Sequence, residues 1–146
     1  MAIIQALCDS FRQEILEGVH NLNSDTIKMA LYSPSAGLSN LTTSYTPTGE
    51  IVSTGYTAGG QTLVPLNGTA VYGQVGLAYV QFQNPSWTLT TQGAGARGAL
   101  WYNASKGNKA ILVLDFGTMQ YPNNTNNIFT VNFGPYPSLF SPLRLA

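Results

Sequence analysis

The chain has 146 residues, only 8% of them charged, and its six basic and six acidic side chains cancel. A single domain of this length buries roughly two-thirds of the surface its unfolded form would expose, so neither disulfide nor metal is needed for folding. The balance excludes the broad positive field of a nucleic-acid binder, and no window approaches the roughly 20 apolar residues of a membrane span.

In chain order, Met1–Leu7 carries two isoleucines but no basic n-region, and Asp9, Arg12, Glu14 and Glu17 follow at once, which does not fit a secretory signal. Intracellular synthesis is the expectation. Cys8, the single cysteine, cannot make an internal disulfide. Ile4, Leu7, Cys8, Phe11 and Ile15 recur at spacings of three and four, predicting an amphipathic helix over Ile4–Glu17 within residues 1–18. Gly18 suits the left-handed residue that ends it.

Asp25–Ser33 reads as a strand with Ile27, Met29 and Leu31 on an apolar face, closed by Pro34. Ser35–Glu50 is a long polar connection that must cover a neighbour or move. Short strands between turn residues are predicted at Ile51–Tyr56, Gln61–Pro65, Val71–Gln83, Ser86–Thr91, Ala96–Ala104, Lys109–Phe116, Ile128–Phe133 and Leu139–Leu145. Ser105-Lys106-Gly107-Asn108 marks a hairpin turn, and the run Ile111–Leu114 predicts a strand buried on both faces. The expected fold is one mainly β domain over residues 1–146, an antiparallel sandwich of jelly-roll type with one N-terminal amphipathic helix.

From Ile51 to Ala96, and from Phe116 to Leu143, no Asp, Glu, Lys or Arg occurs; Thr, Ser, Asn, Gln, Gly and Tyr fill the gaps. This composition is neither a membrane segment nor an acidic disordered tail. It describes a neutral surface made for contact, and a net charge near zero favours an assembled protein over a free monomer.

Chemical motifs are sparse. Gly93-Ala94-Gly95-Ala96-Arg97-Gly98 matches the dinucleotide fingerprint, but a strand of Leu, Trp and Tyr follows where the mechanism needs a helix. Asp115-Phe116-Gly117 repeats a kinase triplet without the remaining kinase parts. Asp115, ending a buried strand, is expected to be satisfied by backbone N–H groups or by an ion pair with Arg97. His20 is the only histidine, so a triad or a nitrogen-and-sulfur metal site lacks members; a satisfied surface or cap position is expected. Glu14 and Glu17 lie on a solvated helix face, Glu50 and Asp115 are isolated, and neither a catalytic constellation nor a cofactor is expected. N-x-S/T triplets at Asn40, Asn67, Asn103 and Asn123 carry little weight in a chain so rich in Asn and Thr. Trp87 and Trp101 are expected in the core, and the scattered tyrosines at contacts with protein or sugar.

The segments Glu17-Gly18-Val19-His20, Asp25–Tyr32, Gly55-Tyr56-Thr57-Ala58-Gly59-Gly60, Ala96-Arg97-Gly98-Ala99 and Leu114-Asp115-Phe116-Gly117 resemble small structural proteins of tailed bacteriophages. In size and composition the chain is similar to capsid decoration, or cement, proteins. The resemblance implies a virion protein on the capsid surface, made in the host cytoplasm, that bridges subunits of the major capsid protein as a homo-oligomer, a dimer or trimer. It implies contact residues rather than catalytic ones: Tyr45 and Tyr56 in loops, and Tyr136, Leu139 and Phe140 in a C-terminal contact segment, residues 134–146. A tail or head–tail joining protein is the alternative within the same resemblance, and a carbohydrate-binding sandwich is an alternative outside it.

Overall fold

The computed structural model describes residues 2–133 and 142–145. Their elements run β1 (Ala6–Leu7), α1 (Asp9–Leu16), β2 (Ile27–Tyr32), β3 (Gln61–Thr62), β4 (Val71–Gln74), β5 (Leu77–Val80), β6 (Ser86–Thr88), β7 (Ala96–Asn103), β8 (Lys109–Gln120), β9 (Ile128–Thr130) and β10 (Arg144–Leu145). Every pairing between these strands is antiparallel. The strands group as β1-β8-β7-β2-β3, as β10-β5-β4 and as β6-β9. The fold is therefore mainly β with one helix near the N-terminus, as the pattern of short strands predicts. Among the described residues no helix is long and apolar enough to cross a membrane.

The centre of the large sheet is the β7–β8 hairpin, paired from Gly98↔Asp115 to Trp101↔Leu112 and, after a one-residue shift, from Tyr102↔Ala110 to Asn103↔Lys109. Its turn works because Gly107 (φ 68°) and Asn108 (φ 61°) accept left-handed backbone that most side chains resist. Ile111, Leu112 and Val113 are buried, as a run without polar alternation requires. On the other edge of β7, β2 pairs from Ile27↔Asn103 to Tyr32↔Gly98. Ala30 and Tyr32 are as buried as Met29 and Leu31, so beyond Lys28 both faces of β2 are covered, where the alternation with Lys28, Ala30 and Tyr32 predicts only one apolar face. Tyr32 satisfies its hydroxyl by donating to the Thr46 carbonyl at 2.7 Å.

Trp101 of β7 joins the large sheet to the small ones. Phe82, after β5, and Phe133, after β9, meet its ring edge-on at centroid distances of 5.4 and 5.3 Å. Trp87 of β6 faces Phe129 of β9 at 6.4 Å, so both tryptophans are core.

Several predicted elements take other forms. The N-terminal helix begins at Asp9 rather than Ile4. Ala6–Leu7 instead pairs with Val113 and Leu112, and the Cys8 N–H donates to the Ile111 carbonyl at 2.9 Å; the sheet edge supplied backbone partners that outweighed the helical stripe. Phe11 and Cys8 fill the core beneath the helix, while Ile4 stays exposed. Gly18 adopts φ 73° and ends the helix as expected. The single strand predicted over Val71–Gln83 folds back at Val75-Gly76, where Gly76 takes φ 77°, into the β4–β5 hairpin. Ile51–Tyr56 is not a strand: it is irregular, with one turn at Thr54-Gly55 closed by the Tyr56 N–H on the Ser53 carbonyl at 3.1 Å. Gly55 there lies so close to the Thr88 carbonyl that a Cβ would collide with it. Of the strand predicted at Leu139–Leu145, only Arg144–Leu145 is a strand among the described residues; Leu139–Ser141 lies outside them.

Candidate functional site

The connection Ser35–Glu50 covers a neighbour: it lies along the edges of the large sheet. Leu38 bridges Ile3, Ser44 bridges Lys109, and Glu50 bridges Tyr32. It ends in a knot of tyrosines around Glu50. One carboxylate oxygen accepts from the Tyr45 hydroxyl at 2.7 Å. The other accepts from the Tyr56 hydroxyl at 2.6 Å and the Gly59 N–H at 2.7 Å. The Tyr56 oxygen also accepts from the Leu31 N–H at 2.9 Å, and Tyr102 donates to the Gly59 carbonyl at 2.6 Å. Tyr45 stacks on Tyr102 with ring centroids 4.8 Å apart. Burial, reinforced by the hydrogen bond to the Glu50 carboxylate, pushes the Tyr45 and Tyr56 hydroxyls above their ordinary value. Both hydroxyls are therefore spent inside the protein, holding the loop on the sheet.

A second polar network sits between α1 and the β7–β8 hairpin. The His20 side chain is 0% exposed, which corrects the expected surface or cap position: the chain after Gly18 turns inward, and the imidazole lies 4.9 Å from the Phe11 ring. Asn103, itself buried, donates its amide to Asp25 at 2.7 Å and accepts at Oδ1 from the Ser105 N–H at 3.0 Å. Those two partners fix the amide orientation, so Nδ2 also donates to His20 Nδ1 at 3.0 Å and the ring proton sits on Nε2. Nε2 faces Glu14 at 2.8 Å, and Lys109 holds the other Glu14 oxygen at 2.7 Å. Burial opposes the Glu14 charge, but the hydrogen bonds from Lys109 and His20 outweigh it and hold the carboxyl below the usual range. Asp25 is likewise lowered: burial opposes its charge, while hydrogen bonds from the Asn21 N–H and Asn103 and the nearby Lys106 ammonium favour it. The network saturates itself and ties the helix to the hairpin.

Arg97 and Asp115 form an ion pair, each side chain 25% exposed. Arg97 lies at the bulge between Ala96 and Gly98. Asp115 lies within β8 rather than at its end, and its Oδ1 also accepts the Gly117 N–H at 2.8 Å. Gln92-Gly93 forms a turn closed by the Ala94 N–H on the Thr91 carbonyl at 3.0 Å, and β7 rather than a helix follows Gly95. Asn103 of the N-x-S/T triplets is buried and fully engaged. Tyr136, Leu139 and Phe140 lie outside the described residues.

The Glu50 and His20 networks went unread in the sequence. Glu50 appears isolated until the loop folds Tyr45, Tyr56 and Gly59 onto it, and nothing in the chain links Asn103 to His20. Among the described residues no group of three or more His, Cys, Asp or Glu is arranged to hold a metal ion. The charge-free stretches turn uncharged polar side chains outward, Thr62, Gln74, Asn84 and Thr90 among them, and set exposed apolar ones between them: Val52 is 92% exposed and Val75 105%, with Val64, Val71 and Tyr121 also exposed. No protein-family model, curated protein or solved structure matches this chain.

Proposed function

We propose that this chain is a structural virion protein of a tailed bacteriophage, which decorates the capsid and stabilises it by bridging neighbouring subunits of the major capsid protein. The observation that carries the reading is the exposure of Val52, Val64, Val71 and Val75 along Ile51–Ala96, a stretch without one charged residue. Apolar side chains on a neutral surface desolvate at little cost, and contact across a shell joint multiplies small areas by avidity. The strongest polar groups, by contrast, are consumed in holding the fold. Tyr45 and Tyr56 then act by fixing Glu50 and with it the end of the connection Ser35–Glu50, and residues 134–146 supply a further contact segment.

The test is immunogold labelling of particles from a lysate of the host carrying the gene. Gold over the heads is the expected result. Gold confined to one vertex or the tail replaces the cement role with the joining role. Unlabelled particles overturn the virion reading and direct the search to glycan binding.

A further inference from the structure

We propose that Asn67-Gly68 is a site of spontaneous deamidation that writes a negative charge into the otherwise charge-free stretch Ile51–Ala96. Asn67 is the one asparagine in the chain followed by glycine. Both residues are exposed, in the short turn that leads into β4. A Cβ added to Gly68 would meet nothing within 4 Å, so the space around its backbone is open to solvent. Asn67 itself holds φ 54°, the left-handed turn conformation that asparagine tolerates better than most residues.

The reaction needs only water. The Gly68 backbone nitrogen attacks Asn67 Cγ; the new C–N bond closes a succinimide as the bond to Nδ2 breaks, and ammonia leaves with the proton given up by the Gly68 N–H. Water then adds to either imide carbonyl, giving aspartate or isoaspartate and releasing a proton at neutral pH. Glycine permits the attack because no side chain shields its nitrogen and its backbone is freest to reach the required geometry. Elsewhere a β-carbon stands next to the attacking nitrogen, and at Asn84 the next residue is Pro85, which has no N–H at all.

The turn would register the change. Leu66 donates its N–H to the Gln81 carbonyl at 3.1 Å, and its carbonyl accepts from the Thr69 N–H at 3.3 Å and the Tyr72 hydroxyl at 2.8 Å. Isoaspartate adds a methylene to the main chain between these fixed points, and either product places a carboxylate among uncharged neighbours at the foot of the β4–β5 hairpin.

The experiment incubates the intact folded protein at mildly alkaline pH and body temperature, beside a sample unfolded in urea, and follows each asparagine by peptide mass. The folded sample should convert at Asn67 about as fast as the unfolded one, gain the mass of an amide-to-acid exchange there, and accept methyl groups from an isoaspartyl methyltransferase. An Asn67→Gly variant, which suits the positive φ, should show no such labelling. Conversion in urea but not in the folded chain would mean that the turn protects Asn67 and would overturn the proposal, as would an intact Asn67 in both. None of these outcomes depends on whether the protein binds a capsid.

Discussion

Replacing Asn103 by Ala removes the joint between α1 and the β7–β8 hairpin, and the cost can be worked from its contacts. His20 Nδ1, on a side chain with 0% exposure, loses its donor at 3.0 Å; leaving such an acceptor unpaired costs about 1–3 kcal/mol. Asp25 loses a 2.7 Å hydrogen bond but keeps the Asn21 N–H at 2.9 Å, which limits that loss to about 1–2 kcal/mol. The Ser105 N–H lies beside solvent and can turn to water, so it adds little. The total is about 3 kcal/mol, a large share of the ~5–15 kcal/mol that holds a domain together. Urea unfolding should move to lower midpoint with unchanged slope, and the melting temperature should fall by about 6–12 °C for a domain of this size. Lys106→Ala is the control. Its ammonium reaches Asp25 only at 3.9 Å and is 41% exposed, so it should cost well under 1 kcal/mol. If Asn103→Ala and Lys106→Ala cost the same, the buried network contributes nothing specific and the reasoning fails.

Other consequences are equally direct. Glu14 and Asp25 have folded-state pKa values held below their ordinary 4.5 and 3.8, so their contribution is present at neutral pH and drains away as pH falls through and below those values. Glu14→Gln should flatten the acid limb of stability against pH, and an unchanged limb would place that dependence elsewhere. Cys8 is 0% exposed and burial pushes its thiol up to about 12; a thiol reagent at mildly alkaline pH should stay silent until the protein unfolds. Gly60→Ala should abolish folding or cost several kcal/mol, because φ is 71° and a Cβ would strike the Met29 carbonyl, whereas Gly18→Ala, with φ 73° in open space, should cost about 1 kcal/mol. Val75→Glu at the tip of the β4–β5 hairpin should leave stability within about 0.5 kcal/mol and abolish binding to purified heads.

Local chemistry was legible where it decides structure unaided. The β7–β8 hairpin could be read because a turn tetrapeptide separates two apolar runs, and the buried strand because Ile111–Leu114 offers no polar side to a solvated face. The N-terminus could not be read past Cys8, since Ile4–Leu7 fits a helical stripe and a sheet edge equally well, and the long partner β8 lies a hundred residues away. The same limit hid both polar networks. Asn103 reaches His20 across 83 positions and Asp25 across 78, so nothing in the spacing of a single sequence marks the pair. Arg97 with Asp115 was within reach because both lie on strands that a hairpin must bring together.

The short motifs Glu17–His20, Asp25–Tyr32, Gly55–Gly60, Ala96–Ala99 and Leu114–Gly117 fall on the contacts that pin this fold. Tyr56 accepts the Leu31 N–H, and Gly60 presses on Met29 and Ala30. Gly98 leaves no room for a Cβ beside the Leu114 carbonyl and Ile3, and Arg97 pairs with Asp115. His20 is locked by Glu14 and Asn103. Such residues are constrained by packing and by buried hydrogen bonds, so they carry the fold rather than the choice of a partner. Under the proposed role, partner choice falls to the exposed, uncharged positions, where a substitution such as Val75→Glu costs no core contact. The two sets should therefore separate in experiment: changes at the pins should lower stability and, through it, binding, whereas changes at Val52 or Val75 should alter binding alone. A binding loss that always scaled with lost stability would mean that the neutral surface carries no recognition of its own.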